Sequence, residues 1–117
     1  MHRAGVPLLA GTDAPTPFVI PGFSLHDELA LLSEAGLAPM DALQTATRNP
    51  ARYLGLQDSL GTVEKGKIAD LVLLDANPLQ DIRNTTRIAA VILNGRLLSG
   101  LSLQKMLAES EELAALR

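Results

Sequence analysis

The sequence predicts an α/β fold with two parts that differ in character. Residues 6–10 form a short apolar run, typical of a buried strand in a parallel sheet, and helical patterns follow it. After about residue 57 the chain changes to apolar runs separated by an Asn-Gly pair, which indicates a small antiparallel sheet. We therefore expect three segments: 1–56 with a strand and helices, 57–100 with the sheet, and 101–117 with a closing helix.

The first helix is predicted over the stretch SLHDELALLSEAG, after a loop rich in Gly, Pro and Thr. Ser24 is a good N-cap, Asp27 stands at the capping-box position, and Gly36 ends the pattern. Three leucines recur at helical spacing and predict the buried face: Leu25, Leu29 and Leu32.

Two shorter helices are predicted next. Pro39 suits the first position of one of them, and Asn49–Pro50 starts another that Gly55 closes. Asn49 also lies between Arg48 and Arg52. This polar cluster is open to two interpretations: an anion site at a helix start, or a helix cap with surface charges.

The second half of the sequence reads as strands followed by a helix. The run from Ile68 to Leu74 is apolar except for Asp70, which we interpret as a bulge, a carboxylate that caps backbone groups, or a ligand. Asn94–Gly95 predicts a tight hairpin turn. The last helix is amphipathic, with apolar residues close to one face: Leu103, Met106, Leu107, Leu113 and Leu116.

Composition excludes several classes of function. A net charge of −3 and an aromatic content of 3% argue against binding to nucleic acid or to an anionic membrane. No apolar run approaches the length of a membrane span. The absence of cysteine rules out disulfides and thiolate chemistry, and it fits a cytoplasmic protein.

Asp13 is the strongest candidate for a functional residue. It follows the apolar run at 6–10, and catalytic residues of barrels and open α/β sheets lie at the carboxyl ends of strands. Gly11 allows a sharp turn there, and Thr12 can form a local hydrogen bond. The alternative is an ordinary turn in which Asp13 bonds its own backbone.

His26 is the second candidate, because it stands in the first turn of the predicted helix, off the apolar stripe. It could orient the acid or meet a ligand, or it is an ordinary polar residue near a helix start. The only other histidine is His2, next to the terminus. A zinc site needs about three protein ligands, so this chain alone cannot complete a familiar one. The sequence also lacks HxH, HExxH, GxSxG, GxGxxG and P-loop motifs.

Several blocks in one order carry a family resemblance: GVPLLAGTDAP, LHDELALLSEAGLAPMDALQTATRNPARYLGL, GTVEKGKIADLVLLDANPLQDI and VILNGRLL. The chain resembles metal-dependent amidohydrolases, and within them the imidazolonepropionase-like and prolidase-like branch. The resemblance implies a (β/α)8 barrel with a small β-sandwich. Residues 1–56 would be the last barrel strand and its helices, and residues 57–100 the C-terminal strands of the sandwich.

The resemblance also implies roles for individual residues. Asp13 would be a metal ligand and the proton shuttle in the hydrolysis of a C–N bond in a small amide, cyclic amide or dipeptide. Thr12 and His26 would support that site or contact the substrate. The metal would be a divalent ion, with zinc the expected one.

The resemblance covers only the C-terminal portion of such an enzyme. The HxH motif, the bridging lysine and two further histidine ligands of the family have no counterpart in this sequence. We therefore expect the chain alone to be inactive and to bind no stoichiometric metal. Leu-rich faces left uncovered predict a homo-oligomer, self-association, or a rearranged small α+β unit.

Two other interpretations stay open. The chain could be a stand-alone, non-catalytic α+β module that oligomerises through its apolar faces. It could also be a complete small enzyme that uses Asp13 and His26 across an oligomer interface, with ligands from several subunits.

Overall fold

A computed structural model describes residues 4–14, 16–17 and 19–115. In chain order its elements are α1 (Phe23–Glu34), α2 (Pro39–Thr45), α3 (Arg48–Tyr53), β1 (Leu71–Leu74), a 3₁₀ helix (Ile82–Thr86), β2 (Ile88–Leu93), β3 (Arg96–Ser99) and α4 (Gly100–Ala115). The strands form one antiparallel sheet in the order β1-β2-β3. The coarse α/β prediction is confirmed, whereas the barrel arrangement and the segment boundaries remain predictions.

Residues 6–10 do not form the predicted strand. Val6 and Leu9 are 46% and 44% exposed, so the segment is not buried on both faces. A strand is stabilised by a ladder of hydrogen bonds to a neighbouring strand, and the described residues place no strand beside this one. The backbone N–H of Ala10 instead donates to the carbonyl of Thr45 at the end of α2. The prediction of a buried strand at residues 6–10 is therefore wrong for this chain.

The N-cap of helix α1 lies two residues earlier than predicted. Gly22 is its N-cap, with a φ of 86° that favours glycine, and no side chain caps the helix. Ser24 therefore lies inside the first turn, where its hydroxyl donates to the carbonyl of Ile20 at 2.8 Å. The predicted cap at Ser24 is wrong because the turn at residues 21–22 leads directly into the helix at Phe23. The predicted end is confirmed, since α1 stops at Glu34 and Gly36 has a φ of 103°.

Proline and glycine mark the start of α2 and the end of α3, as the sequence predicts. Pro39 is the first residue of α2, where a missing N–H costs no hydrogen bond. Gly55 follows α3 with a φ of 70°, as its closing role requires. Arg48 is the first residue of α3.

A small core joins α1, α2 and the 3₁₀ helix. Leu29, Ala42 and Ile82 are its buried members, at 4%, 0% and 5% exposure. Partly buried apolar side chains surround them: Ala30, Leu32, Leu37, Leu43 and Ala46. Leu25 of the predicted stripe is 37% exposed. The core packs the middle of α1 against the 3₁₀ helix, although the two are far apart in sequence.

Among the elements of the described residues, the 3₁₀ helix is the one that the sequence pattern did not predict. Asp81 caps it by accepting from the backbone N–H of Arg83 at 2.9 Å, and the Arg83 Nε donates to the same oxygen at 3.0 Å. The hydrogen bond from the Arg83 side chain, and then that from its backbone, lower the pKa of the Asp81 carboxyl. The helix is too short for a periodic signal, so this local cap is its only sequence trace.

The predicted hairpin is confirmed. Strands β2 and β3 pair directly, and Asn94 and Gly95 between them have φ angles of 49° and 77°, as a type I′ turn requires. Asp70, which precedes β1, caps this turn, because its Oδ1 accepts from the backbone N–H of Asn94 at 2.6 Å. Of the interpretations offered for Asp70, the backbone-capping carboxylate is therefore confirmed.

We expect Asp70→Ala to loosen this turn, because it removes a charge-assisted hydrogen bond to Asn94. The free energy of unfolding should fall by about 1 kcal/mol, and the Asn94 amide should exchange with solvent several-fold faster. Asp75→Ala is the control, since the exposed Asp75 carboxylate has no hydrogen bond within the described chain. Equal exchange rates in the two variants would contradict the capping role.

Helix α4 leaves much apolar surface uncovered. It contacts β2 and β3, and none of its described residues is buried. Leu101 and Leu113 are 79% and 66% exposed, and Leu116 of the predicted face lies outside the described residues. Self-association through such surfaces remains a prediction. None of the helices in the described ranges is both long enough and apolar enough to cross a membrane.

Candidate functional site

The segment before Asp13 is held to the helices by side-chain and backbone hydrogen bonds. Three of them anchor it: Asn49 Nδ2 to the Leu8 carbonyl at 2.9 Å, the Ala10 N–H to the Thr45 carbonyl at 3.0 Å, and the Gly11 N–H to Glu28 Oε1 at 2.7 Å. The Thr45 carbonyl is one of the last in α2, so Ala10 satisfies an acceptor that the helix leaves open. The chain is thus fixed up to two residues before Asp13.

Asp13 itself is exposed and unpaired in the part of the chain that the structure describes. Its carboxylate makes no hydrogen bond or ion pair there, so the turn in which Asp13 bonds its own backbone is not observed. Its φ of 55° lies in the left-handed region, which Asp adopts more readily than most side chains. Among the described non-glycine residues only Asn94 shares a positive φ, and the hairpin explains that one. The conformation of Asp13 has no such explanation in secondary structure.

Thr12 lies between the last anchor and Asp13. It is half-buried, and its hydroxyl makes no hydrogen bond within the described residues, so the local bond expected from the sequence is not seen there. The adjacent Gly11 contributes its N–H to the Glu28 carboxylate, and a charged acceptor makes this a strong anchor. Thr12 and Asp13 are therefore two polar residues that directly follow Gly11, whose backbone Glu28 holds.

His26 faces a different neighbour. Its Nδ1 lies 3.1 Å from the Oγ1 of Thr85 in the 3₁₀ helix, and no hydrogen bond joins it to Asp13. His26 and Glu28 are two residues apart on α1, so they point about 200° apart around the helix. Glu28 thus holds the segment that carries Asp13, whereas His26 holds the 3₁₀ helix. The structure does not bring the two candidate residues into one hydrogen-bonded site.

The described residues do not form a metal site on their own. They contain no group of three or more His, Cys, Asp and Glu side chains placed to hold one ion. A catalytic zinc needs about three protein ligands and one open position, and Asp13 could supply one oxygen ligand. A divalent metal therefore does not fit this set of residues, and we attribute no chemical step to one.

A second polar region lies between residues 5–8 and the helices α2 and α3. A cavity of about 340 Å³ has Arg48, Arg52 and Asn49 in its walls, together with residues 5–8. Arg48 donates to Gln44 Oε1 at 2.6 Å, while its Nε is buried without a partner in the described chain. Asn49 lies inside α3 and bonds Leu8, so it is not the helix cap that one interpretation required.

Sequence reasoning missed two residues that shape the site region, Glu28 and Thr85. Glu28 was not among the candidate residues, although its carboxylate accepts from the Gly11 backbone N–H 17 residues away. Thr85 binds His26 across 59 residues. Neither contact leaves a local pattern, because each depends on how distant segments pack.

Known proteins resemble this chain over most of its length. The profile described as "Amidohydrolase family" matches residues 1–98. A 5-methylthioadenosine/S-adenosylhomocysteine deaminase from Moorella thermoacetica is 32% identical over 98% of the chain, and an imidazolonepropionase from Maricaulis maris is 38% identical over 86%. A prolidase solved with N-methylphosphonate-L-proline is 31% identical over 84% of the chain, with a TM-score of 0.65.

The chain covers less than a third of the length of each of these relatives. The chain spans 31% of the deaminase, 24% of the imidazolonepropionase and 24% of the prolidase. The predicted resemblance to the imidazolonepropionase-like and prolidase-like branch is confirmed by these matches.

Proposed function

Because the chain belongs to the amidohydrolase family, we propose that it supplies one catalytic carboxylate, Asp13, to the hydrolysis of a C–N bond. The similar proteins include a deaminase, an imidazolonepropionase and a prolidase, whose names share this type of reaction. The proposed substrate is a small amide, cyclic amide or dipeptide.

The position of Asp13 is the observation that carries the proposal. The preceding residues are fixed to α1 and α2, and the carboxylate that follows is exposed and unused by the described chain. An exposed carboxylate that follows an anchored backbone segment by two residues, and that no partner neutralises, is suited to meet a substrate. Its positive φ adds support, because unusual backbone conformations cluster at functional sites.

The proposed chemistry is proton transfer by Asp13. Its carboxylate takes a proton from the attacking water as the new C–O bond forms, then gives that proton to the nitrogen as the C–N bond breaks. The proton count balances, and Asp13 is regenerated as a carboxylate. We propose that Thr12, next to it in the chain, supports this site or contacts the substrate, and that His26 acts apart from Asp13.

A metal enters the proposal only through residues outside this set. Asp13 would be one oxygen ligand of a divalent cation such as zinc, and the other ligands would come from further segments of a longer chain or from other subunits. The present residues alone would hold no stoichiometric metal and would be inactive.

The exposed apolar surface favours one alternative function. Leu97 on β3 and Leu101 on α4 are 64% and 79% exposed, which suits a non-catalytic α+β module that associates through this surface. In that case Asp13 would have no chemical role. The two proposals differ in whether any C–N hydrolysis depends on Asp13.

We expect Asp13→Asn to lower kcat by about 100-fold or more, since general acid–base catalysis contributes about 10²–10⁴-fold. The test uses the longest in-frame polypeptide that contains residues 1–117, supplied with Zn²⁺. Release of amine or ammonia is measured from a panel of small amides, cyclic amides and Xaa-Pro dipeptides. Asp27→Asn is the matched control, because it removes an exposed carboxylate from α1.

The outcomes separate the proposals. Activity that Asp27→Asn retains and Asp13→Asn loses supports the catalytic role. Activity that survives in Asp13→Asn overturns it. A polypeptide that hydrolyses none of the panel also overturns it, and a molar mass above that of the monomer would then favour the associating module.

A further inference from the structure

The contact between α1 and the 3₁₀ helix includes one side-chain hydrogen bond, whose direction depends on the tautomer of a histidine. His26 Nδ1 lies 3.1 Å from Thr85 Oγ1, and Thr85 is 6% exposed. His26 is half-buried at this junction. The arrangement of these two residues does not depend on the proposed hydrolysis.

The hydroxyl of Thr85 has a second partner, which decides who donates. Its Oγ1 lies 2.9 Å from the carbonyl oxygen of Ile82, and a carbonyl can only accept. A threonine hydroxyl has a single proton, so the proton that goes to Ile82 is not available to His26. The remaining bond then requires Thr85 Oγ1 to accept, and His26 Nδ1 to carry the donated hydrogen.

The other ring nitrogen is left free. His26 Nε2 makes no hydrogen bond within the described residues. It is also not sealed in the interior, because the one buried side-chain nitrogen or oxygen without a partner in the described chain belongs to Arg48. The hydrogen bond at one nitrogen of a histidine sets which nitrogen holds the proton.

We propose that Thr85 is a positioning residue that fixes neutral His26 in its Nδ1–H tautomer. The lone pair then stays on Nε2, where it can accept a hydrogen bond from a hydroxyl, ammonium or amide group of a ligand. The same bond holds the ring against rotation, so Nε2 is presented in one orientation. Thr85 acts through His26 and does not itself contact the ligand.

The experiment is nuclear magnetic resonance of the ring nitrogens in the ¹⁵N-labelled 117-residue chain, at a pH where the ring is neutral. His2→Gln assigns the signals of the two histidines of the sequence. We expect wild-type His26 to show a protonated Nδ1 and an unprotonated Nε2. Thr85→Ser, which keeps the hydroxyl, should retain this pattern, whereas Thr85→Val should shift His26 to a mixture with the Nε2–H form.

Each outcome decides the proposal. An Nε2–H tautomer in the wild-type chain overturns it, because Thr85 would then donate to His26. A Thr85→Val variant that keeps the Nδ1–H form also overturns it. If Thr85→Val does not fold, the wild type and Thr85→Ser still decide: the Nδ1–H form in both supports the proposal, and its absence from either contradicts it.

Discussion

We expect Gly61→Ala to lower the free energy of unfolding by about 2–5 kcal/mol, as the sum of backbone strain and overpacking. Gly61 has a φ of 89°, which side chains other than glycine rarely adopt. An added Cβ would lie 2.6 Å from the Cβ of Ala51, 3.1 Å from the Thr47 carbonyl oxygen and 3.2 Å from the Arg48 Cα. Backbone atoms and a methyl group cannot rotate away, so the segment must separate from α3.

Gly66→Ala is the matched control for this effect. Its φ of 93° imposes a similar backbone strain, but nothing lies within 4 Å of the added Cβ. It should cost about 1–2 kcal/mol, the strain alone. Urea unfolding of the two variants and the wild type measures the difference, and equal losses would contradict close packing of Gly61 on α3.

The contact of Gly61 with α3 connects two parts of the fold. Gly61 lies in the segment between α3 and the sheet, and Ala51, which it meets, is 5% exposed on α3. The close approach joins the helical part of the chain to the part that forms the sheet. No local sequence pattern identifies this glycine as a packing contact, because the contact depends on how α3 packs against a later segment.

Elements marked by local chemistry were predicted correctly from the sequence. Asn94–Gly95 specifies a tight hairpin because both residues tolerate a positive φ, and Gly36 ends α1 for the same reason. Pro39 begins α2 because proline lacks the N–H that this position leaves unused. In each case the residue acts on its own backbone, so its effect does not depend on distant segments.

Elements that depend on a neighbour were predicted less well. Residues 6–10 have the composition of a buried strand, but a strand also needs a partner that the local pattern cannot supply. Ser24 has the right chemistry for a cap, yet the turn at Gly22 moved the helix start. The sequence pattern predicted the helix correctly but placed its N-cap at the wrong residue.

The candidate site also has features that the local sequence predicts and features that depend on distant contacts. The sequence pointed to Asp13 but left a catalytic acid and an ordinary turn open. Glu28 holds Gly11, and the carboxylate of Asp13 makes no hydrogen bond in the described residues, so the backbone-bonded turn is not observed and the catalytic role stays a prediction. The role of Thr85 was beyond local reasoning, since 59 residues separate it from His26.

We expect Leu29→Ala to remove about 2–5 kcal/mol from the free energy of unfolding, the range for truncating a buried leucine. Leu29 is 4% exposed and packs with Ala42 and Ile82 in the core that joins three helical segments. Ala42 is small and its helix is pinned at its far end by the bond from Ala10, so the site cannot readily collapse to fill the cavity.

Leu31→Ala provides the control on the same helix, two residues away. Leu31 is 63% exposed, so the same truncation there should change the stability by about 0.5 kcal/mol or less. Urea unfolding followed by circular dichroism gives both values. Hydrogen exchange adds a second readout: Leu29→Ala should speed exchange in both α1 and the 3₁₀ helix, because Leu29 and Ile82 share one core. Loss of protection in α1 alone would show that the two elements are stabilised independently, and the shared core would then be the wrong explanation for their contact.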